Sequence, residues 1–311
     1  MSASLTEPLA ELVESSANDE GAAPVARVEL RAYLRGVGMW TPAHADFDAW
    51  VAAGMPEDLH VEDPAGAPSR PPASLLHPRL RRRTSTLTRA AVSALEAATG
   101  QGGAALDAVR FVLVSSFGEI ETTVALLAQL GEPEGPISPT KFHNSVHNTA
   151  TGYLSIASGN HREATALAGG PHNLEIGLLE ALAGLAEVGG DVVLIFAEEL
   201  LPAPFTRADA DPTFAVALHL SSAPPDPSEP AQAHSLELEL CVANRPARVG
   251  EGSGPAPGEA GLPSMVPPLV ELLRAVAVAG SGALATKRPI PLASTHDPAQ
   301  ASEWSATLTS V

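Results

Sequence analysis

Three short apolar stretches in the middle of the chain constrain the fold most, because each has the length of a buried strand and each adjoins a helical pattern. Residues 111–114 lead through small residues into a helical pattern over residues 119–129. Residues 164–168 lead through two glycines into a helical pattern over residues 172–187, and a third apolar stretch follows at residues 192–196. Strands that alternate with helices in this way form parallel pairs that are buried on both faces. The order of elements therefore predicts an α/β fold.

Further helices and strands are predicted on both sides of this unit. Helical spacing over residues 84–98 predicts a helix with a Thr or Ser cap, and small residues over 148–158 predict a short, buried helix. The segments TFAVALHLSS and SLELELCV have strand character, and residues 267–279 are typical of a helix. We therefore expect a mixed sheet of at least five strands, mainly parallel in its core and covered by helices.

Charge and cysteine content argue against several classes of function. The chain has 36 acidic and 18 basic side chains, which gives a formal charge of −18 and a pI near 4.8. Such a chain repels phosphate backbones and anionic lipid, so neither nucleic-acid binding nor membrane-surface binding is expected as its main task. The single cysteine, Cys241, has no partner for an internal disulfide and offers no metal-site spacing. We expect a cytoplasmic protein without a metal or another cofactor.

The two ends of the chain differ from its middle. Residues 1–26 contain five acids and no Lys or Arg, a composition that predicts an acidic disordered arm and not an export signal. After residue 220 the chain is rich in Pro and Gly. We expect one domain over residues 27–220. Over residues 221–311 we expect Pro- and Gly-rich linkers and a C-terminal extension. The extension consists of strand and helix and packs on the same domain.

Four segments between Arg110 and Glu199 carry a resemblance to a known family. In order they are VLVSSFGEIETTV, HNTATGYLSIASGNH, ATALAGGPHNLEIG and DVVLIFAEE. Their succession resembles the N-terminal half of the β-ketoacyl synthases of the thiolase superfamily. In those enzymes a strand, a small-residue turn and a helix precede a small-residue helix, the nucleophile elbow and an apolar strand that ends in Glu. The resemblance implies a thiolase-like half with a mixed, mainly parallel sheet, and it makes residues 27–220 ketosynthase N-terminal-like.

The groups needed for condensation are missing from the positions that this resemblance assigns to them. A condensing synthase carries its acyl chain on a cysteine thiolate at the elbow. Counting back from Gly177 places that position at Gly169, and glycine supplies no nucleophile. Cys241 lies about 70 positions downstream in a strand-like segment, and no glycine-flanked histidine motif follows Asp209. The resemblance therefore implies a chain without ketosynthase activity.

Three more segments, GMWTP, RLRRRTSTL and LLPAPF, are similar to the chain-length-factor-like proteins of aryl polyene and related polyketide systems. A chain-length factor is the inactive partner of an authentic ketosynthase. The resemblance implies a non-catalytic subunit in polyketide or fatty-acid-type elongation, with a ketosynthase as partner in a heterodimer or a second copy in a homodimer. An acyl carrier protein is a further implied partner. The interface residues that it implies are Asn148, Gly152, Ala164, Ala166 and Ala168.

Three alternatives stay open from the residues themselves. His143 and His147 lie four positions apart and could bind a metal from one helix face, although no third ligand accompanies them. His172 follows Gly169 and Gly170 and could act as a base or bind an anion at a helix N-terminus. The chain would then be a stand-alone thiolase-fold acyltransferase or hydrolase. A free-standing scaffold that dimerises is the third alternative.

Overall fold

The structure of the protein is a computed structural model that describes residues 10–14, 26–59, 70–132, 136–225, 236–244, 264–281, 289–292 and 302–310. Within these residues nine strands form one sheet. The strands are β1 (Ala10–Glu14), β2 (Ala26–Trp40), β3 (Arg110–Val114), β4 (Ala164–Leu167), β5 (Asp191–Glu198), β6 (Phe214–Ser221), β7 (Leu236–Asn244), β8 (Ile290–Pro291) and β9 (Ser302–Ser310). The helices are α1 (Phe47–Ala52), α2 (Pro78–Arg81), α3 (Thr86–Gly102), α4 (Ile120–Leu130), α5 (Pro139–Asn144), α6 (Thr149–Ser158), α7 (Asn173–Val188) and α8 (Val266–Gly280).

Only one part of the sheet is parallel. The strand order is β4-β3-β5-β6-β2-β7-β9-β8, with β1 paired to β2. Strands β4 and β5 pair in parallel with β3, and every other pairing of described strands is antiparallel. The expectation of a mixed α/β sheet is confirmed, whereas the expectation that it is mainly parallel is wrong. The connection from β5 to β6 contains no helix, so the chain turns back and pairs antiparallel, because a parallel pairing needs a long crossover.

Helices cover both faces of the sheet. On β5, Val192, Leu194 and Phe196 belong to the apolar core that includes α7 and α8. Val193 and Ile195 belong to a second core on the opposite face, which includes α3 and α6. This alternation follows from the two-residue period of a strand. A strand covered on both faces is apolar at every position, which explains the continuous apolar run of β5.

Helix α3 lies directly against β2. A Cβ atom added to Gly38 would lie 1.8 Å from the carbonyl oxygen of Ala94, and one added to Gly36 would lie 2.1 Å from that of Ala98. Only glycine permits such a close approach of two backbones. The two glycines of β2 therefore set the distance between the sheet and the helix.

The helices predicted in the middle of the chain are confirmed with small shifts of their ends. The predictions over residues 84–98, 119–129 and 172–187 correspond to α3, α4 and α7. Helix α6 departs from the prediction that it is buried, because only one of its sides is covered. Leu154 is buried, whereas 64% of Ile156 is exposed.

Both ends of the chain contribute to the sheet. Five residues of the predicted acidic arm form β1, which pairs antiparallel with β2, so in these residues the arm is a strand and not a disordered segment. The arm's residues 1–9 and 15–25 lie outside the described residues. Beyond residue 221, β7, β9 and β8 extend the sheet from β2, and α8 contacts all three. None of the described helices is long and apolar enough to cross a membrane.

Candidate functional site

The segments that follow β3, β4 and β5 meet at the end of the sheet where these three strands terminate. Strands β3, β4 and β5 are parallel neighbours, and their register pairs Val114 with both Leu167 and Phe196. The carboxyl ends of such strands lie side by side, which is where open α/β sheets place their sites. The residues brought together are 115–118 after β3, 168–172 after β4 and the last residue of β5 with its successor, Glu198 and Glu199.

The turn after β4 is the elbow that the sequence predicts. Gly170 has a φ of +60°, in the left-handed region, and a short 3-10 helix then leads into α7. At the start of α7, Asn173 joins two turns. Its Oδ1 accepts a hydrogen bond from the Gly169 N–H at 2.6 Å, and its Nδ2 donates to Ser116 Oγ at 2.8 Å. This one side-chain amide holds the elbow against the turn after β3. No role for Asn173 is predicted from the sequence, although an asparagine soon after a Gly-rich turn is a recognisable signal.

The turn of the elbow contains no thiol and no hydroxyl group. From the start of β4 to the start of α7 the one hydroxyl or thiol group belongs to Thr165, which donates to Glu180 at 3.2 Å. This result does not depend on which residue of the turn occupies the nucleophile position, so the assignment of Gly169 stays a prediction. Cys241 is buried in β7, and four strands separate β7 from β4. Because neighbouring strands are about 4.8 Å apart, the Cys241 thiol lies roughly 24 Å from β4 across the sheet.

His172 ends the elbow and pairs with a buried acid. Its Nδ1 lies 3.4 Å from Oε1 of Glu175, whose side chain is 1% exposed. Burial raises the pKa of Glu175, and its backbone hydrogen bond and the contact with His172 oppose the rise. The pair therefore holds one ring nitrogen of His172 against a carboxyl group at the start of α7.

The two histidines that could have formed a metal site have separate contacts. Nε2 of His147 lies 2.9 Å from the carbonyl oxygen of Ser115, which ties the start of α6 to the turn after β3. The ring of His143 meets Tyr153 edge-on, with 6.3 Å between the ring centroids. Within the part of the chain that the structure describes, no three His, Cys, Asp or Glu side chains are grouped to hold a metal ion.

Two adjacent glutamates at the end of β5 hold the neighbouring turns. Glu198 accepts a hydrogen bond from Ser115 Oγ at 3.0 Å and another from the Ser116 N–H. The two oxygens of Glu199 accept from the Leu87 N–H at 3.0 Å and from the Glu121 N–H at 3.2 Å. These two donors lie in the first turns of α3 and α4, where a negative charge is favoured. One carboxyl group therefore caps two helices.

Both glutamates titrate near neutral pH. Burial raises the pKa of Glu198 to about 7, and burial together with the charge of Glu119 raises the pKa of Glu199 to about 7. Glu119 is 1% exposed, and its Oε1 accepts from Thr88 Oγ1 at 2.6 Å. The sequence analysis gave these carboxyl groups no role in the site. The signal that identifies them is a pair of adjacent acids at the end of a strand without a polar residue in its interior.

The predicted interface residues lie at one edge of the sheet. Strand β4 is the terminal strand of the order given above, and helix α6 packs beside it. Ala164 and Ala168 are exposed and Ala166 is half-buried. Asn148 and Gly152 are exposed, and a Cβ added to Gly152 would meet no atom within 4 Å. The structure therefore places all five on accessible surface around β4 and α6.

Large apolar side chains on α5 and α6, and between them, are also exposed. Phe142 is 65% exposed, Val146 48% and Ile156 64%. We call these three residues, together with β4, the edge face. The sequence analysis missed them, because a single exposed apolar residue has no distinctive pattern. Where such side chains flank an edge strand, we treat them as candidates for a protein interaction site.

Comparisons with known proteins identify the family. The model of the β-ketoacyl synthase N-terminal domain matches residues 56–253, which is more than half of the chain. Among curated proteins no match is found. A chain of the structure of the ketosynthase ApeO in complex with its chain length factor ApeC, from Xenorhabdus doucetiae, is similar with a TM-score of 0.59. It shares 19% identity over 89% of this chain and 99% of that chain.

A chain of the structure of the ishigamide ketosynthase/chain length factor is similar with a TM-score of 0.62. It shares 15% identity over 90% of this chain and 99% of that chain. Both likenesses show the thiolase-like fold, and both extend over almost the whole length of the solved chains. The expected resemblance is therefore confirmed, and the chain belongs to the β-ketoacyl synthase N-terminal domain family.

Proposed function

We propose that the protein is a non-catalytic, chain-length-factor-like subunit that associates with a β-ketoacyl synthase in polyketide, aryl polyene-like or fatty-acid-type chain elongation. The observation that carries the proposal is an elbow whose strand, turn and helix are all present while its turn, residues 168–172, contains no thiol and no hydroxyl group. Transfer of an acyl chain to the protein needs such a group. The two similar structures, which are described as ketosynthase and chain length factor, support the same role.

The backbone of β4 supports association through the sheet edge. The Ser115 N–H donates to the carbonyl oxygen of Leu167, so this residue directs its polar backbone groups towards β3. Successive residues of a strand alternate in direction. Ala164 and Ala166 therefore direct their N–H and C=O groups towards the side of β4 that no described strand covers, and Ala168 follows directly after the strand. Unpaired edge groups on a strand of this kind favour pairing with another strand.

The edge face supports the same conclusion from its side chains. Burial of one large apolar side chain contributes roughly 1.5–3 kcal/mol, so Phe142, Val146 and Ile156 together offer a partner several kcal/mol. Small residues at Gly152 and Ala164 let a partner backbone approach closely. A ketosynthase of related fold presents a similar edge, and a pseudosymmetric pair follows from this match. A second copy of the chain is the alternative partner, and an acyl carrier protein is a further one.

The test is binding to a β-ketoacyl synthase from the same organism, measured by copurification and light scattering. Ile156→Gln should weaken the complex at least about tenfold, because it removes an apolar group from the edge face. Val188→Gln is the matched control. Val188 is 66% exposed, close to the value for Ile156, but it ends α7. Along the helix axis this end lies about 22 Å from the elbow, because 15 residues separate Val188 from Asn173. A wild type that binds no ketosynthase, or equal weakening by both variants, contradicts the proposal.

A second candidate function is acyl transfer or hydrolysis by a stand-alone enzyme, and the His172–Glu175 pair favours it. A carboxyl group that holds one ring nitrogen of a histidine is an arrangement suited to general-base catalysis. Incubation with acyl thioesters, followed by mass spectrometry, separates the two functions. Turnover or an acyl adduct that is lost in His172→Gln supports the enzyme, whereas an unmodified protein and unconsumed thioester support the non-catalytic subunit.

A further inference from the structure

A basic pocket lies between the segments that lead into α3 and the helices α4 and α5. It is an open cleft of about 500 Å³. Its lining includes four cationic side chains and one carboxyl group, which are Arg70, Arg82, Arg89, Lys141 and Glu121. The cluster is unexpected in a chain with 36 acids and 18 bases. Sequence analysis singled out part of it in the segment RLRRRTSTL, and the proposed function does not use it.

Three of the four cations are available to a ligand. Within the described residues, the side chains of Arg70, Arg82 and Lys141 form no ion pair and no hydrogen bond. The chain therefore places positive charge in a concave site and leaves it without a described carboxylate partner. Such an arrangement raises the local concentration of anions.

The fourth cation is fixed in place. The guanidinium of Arg89 donates to the Arg81 carbonyl oxygen and, at 3.3 Å, to Thr84 Oγ1. Burial lowers the pKa of Arg89, and the charges of Arg70 and Arg81 lower it further. Like charges therefore crowd one another here, and a bound anion would relieve the repulsion.

Neutral donors accompany the cations. Thr86 and Thr122 belong to the lining, and neither hydroxyl is hydrogen-bonded within the described residues. Thr86 is also the first residue of α3, so its backbone N–H is one of the donors that a helix leaves unbonded. The pocket thus combines charge with hydrogen-bond donors, the two requirements for a phosphoryl group.

We propose that this pocket binds a diphosphate, either inorganic or as the diphosphate of a nucleotide. Four cations against one carboxyl group match the charge of a diphosphate better than that of a single phosphate. The volume is that of a small-molecule site and accommodates a diphosphate ester. The proposal goes beyond the proposed function and does not depend on it, since none of the lining residues belongs to the elbow or to the edge face.

The experiment is isothermal titration calorimetry on the full chain at constant ionic strength, with pyrophosphate, orthophosphate, ADP and adenosine as separate ligands. Pyrophosphate should bind at least about tenfold more tightly than orthophosphate, and adenosine should not bind. If ADP binds with the same affinity as pyrophosphate, the diphosphate alone is the ligand. ADP that binds more tightly identifies a nucleotide. No binding of pyrophosphate or ADP, or equal binding of orthophosphate, overturns the proposal.

Variants locate the site. Arg82→Gln and Lys141→Gln should each weaken the binding of pyrophosphate about tenfold, which is the usual effect of removing one charge-assisted hydrogen bond. Neither side chain forms a hydrogen bond or an ion pair with the described part of the chain, so both variants should fold, and circular dichroism checks this. Arg79→Gln is the control, because Arg79 is exposed on α2 beside the pocket but does not line it. Equal weakening by Arg79→Gln would show a diffuse charge effect and overturn the site. Binding of a ketosynthase by these variants, measured separately, reports on the proposed function alone.

Discussion

The hydroxyl group of Ser115 donates a hydrogen bond to Glu198 across 83 positions of sequence, with 3.0 Å between Oγ and Oε2. The bond ties the end of β5 to the turn after β3. Burial raises the pKa of Glu198 to about 7, so the carboxyl group that accepts this hydrogen bond gains or loses its proton in the neutral range. Glu199, with a pKa also raised to about 7, extends the same dependence to the first turns of α3 and α4.

The first prediction concerns stability against pH. The pKa of Glu198 and that of Glu199 are raised in the folded state above the value of about 4.3 for an exposed glutamate. Their contribution to stability is therefore fully present below about pH 4 and is lost as pH rises through about 7, because the folded state then holds protons that the unfolded state has released. Urea unfolding should give a free energy of unfolding that is lower at pH 8.5 than at pH 6 by a few kcal/mol, at about 1.4 kcal/mol for each pKa unit.

Two variants, one buried and one exposed, test whether the buried carboxyl groups cause this change. Glu199→Gln should reduce the change between pH 6 and pH 8.5 by about half, because Glu198 still titrates in this range, whatever the effect of the variant on stability at a single pH. Glu187→Gln, at an exposed position of α7, should leave the change as it is in the wild type. A stability that rises with pH over this range contradicts the burial argument.

The second prediction concerns the contact of α3 with β2. Gly38→Ala should destabilise the protein by at least about 3 kcal/mol or prevent folding, because its Cβ would lie 1.8 Å from the backbone oxygen of Ala94. Gly100→Ala is the matched substitution within α3, at a position where an added Cβ meets no atom within 4 Å. It should stabilise by about 0.5–1 kcal/mol, since alanine has the higher helix propensity. Thermal unfolding of both variants measures the contrast, and similar effects in the two would contradict it.

The third prediction concerns the elbow. Gly169→Cys should not condense acyl and malonyl thioesters, because a thiol by itself lacks the groups that decarboxylate the extender and stabilise its oxyanion. The added Cβ would also lie 2.8 Å from Cδ1 of Ile176, so the elbow has to adjust. Product analysis by mass spectrometry, with an active β-ketoacyl synthase as the control, is the measurement. Condensation by the wild type would reject the non-catalytic assignment, and condensation by the variant alone would show that the groups other than the thiol are present.

The fourth prediction concerns the edge strand. Ala166→Pro removes an N–H that points away from β3, so the parallel pair of β3 and β4 should persist while pairing across the edge is lost. Light scattering should show the wild type in a complex with the ketosynthase and the proline variant as a separate, folded protein. Ala166→Ser retains the donor and should bind like the wild type. A proline variant that still forms the complex would show that β4 is not at the interface.

Part of the candidate site could be predicted from sequence. The glycine turn before α7 follows from Gly169 and Gly170 after an apolar strand, and the missing nucleophile follows from the residues of the elbow alone. The partners of the turn could not be predicted. Asn173 contacts Ser116 across 57 positions, and Glu199 caps two helices that begin at positions 86 and 120. Contacts of this kind depend on which strands become neighbours, and local patterns contain no information about that.

The periodicity of the sequence predicts the central helices and strands, because it records which side of each element is buried, whereas β1 lies in a segment that the sequence predicts as disordered. The sequence by itself also determined that the elbow lacks a thiolate. Tertiary structure alone decided that β2 lies between β6 and β7 in an antiparallel arrangement, that Glu198 and Glu199 are buried, and that Arg70, Arg82 and Lys141 line one pocket. The physical reason is that sheet order, desolvation and charge clustering arise from contacts between distant segments, whose energies depend on the packed structure and not on the local sequence.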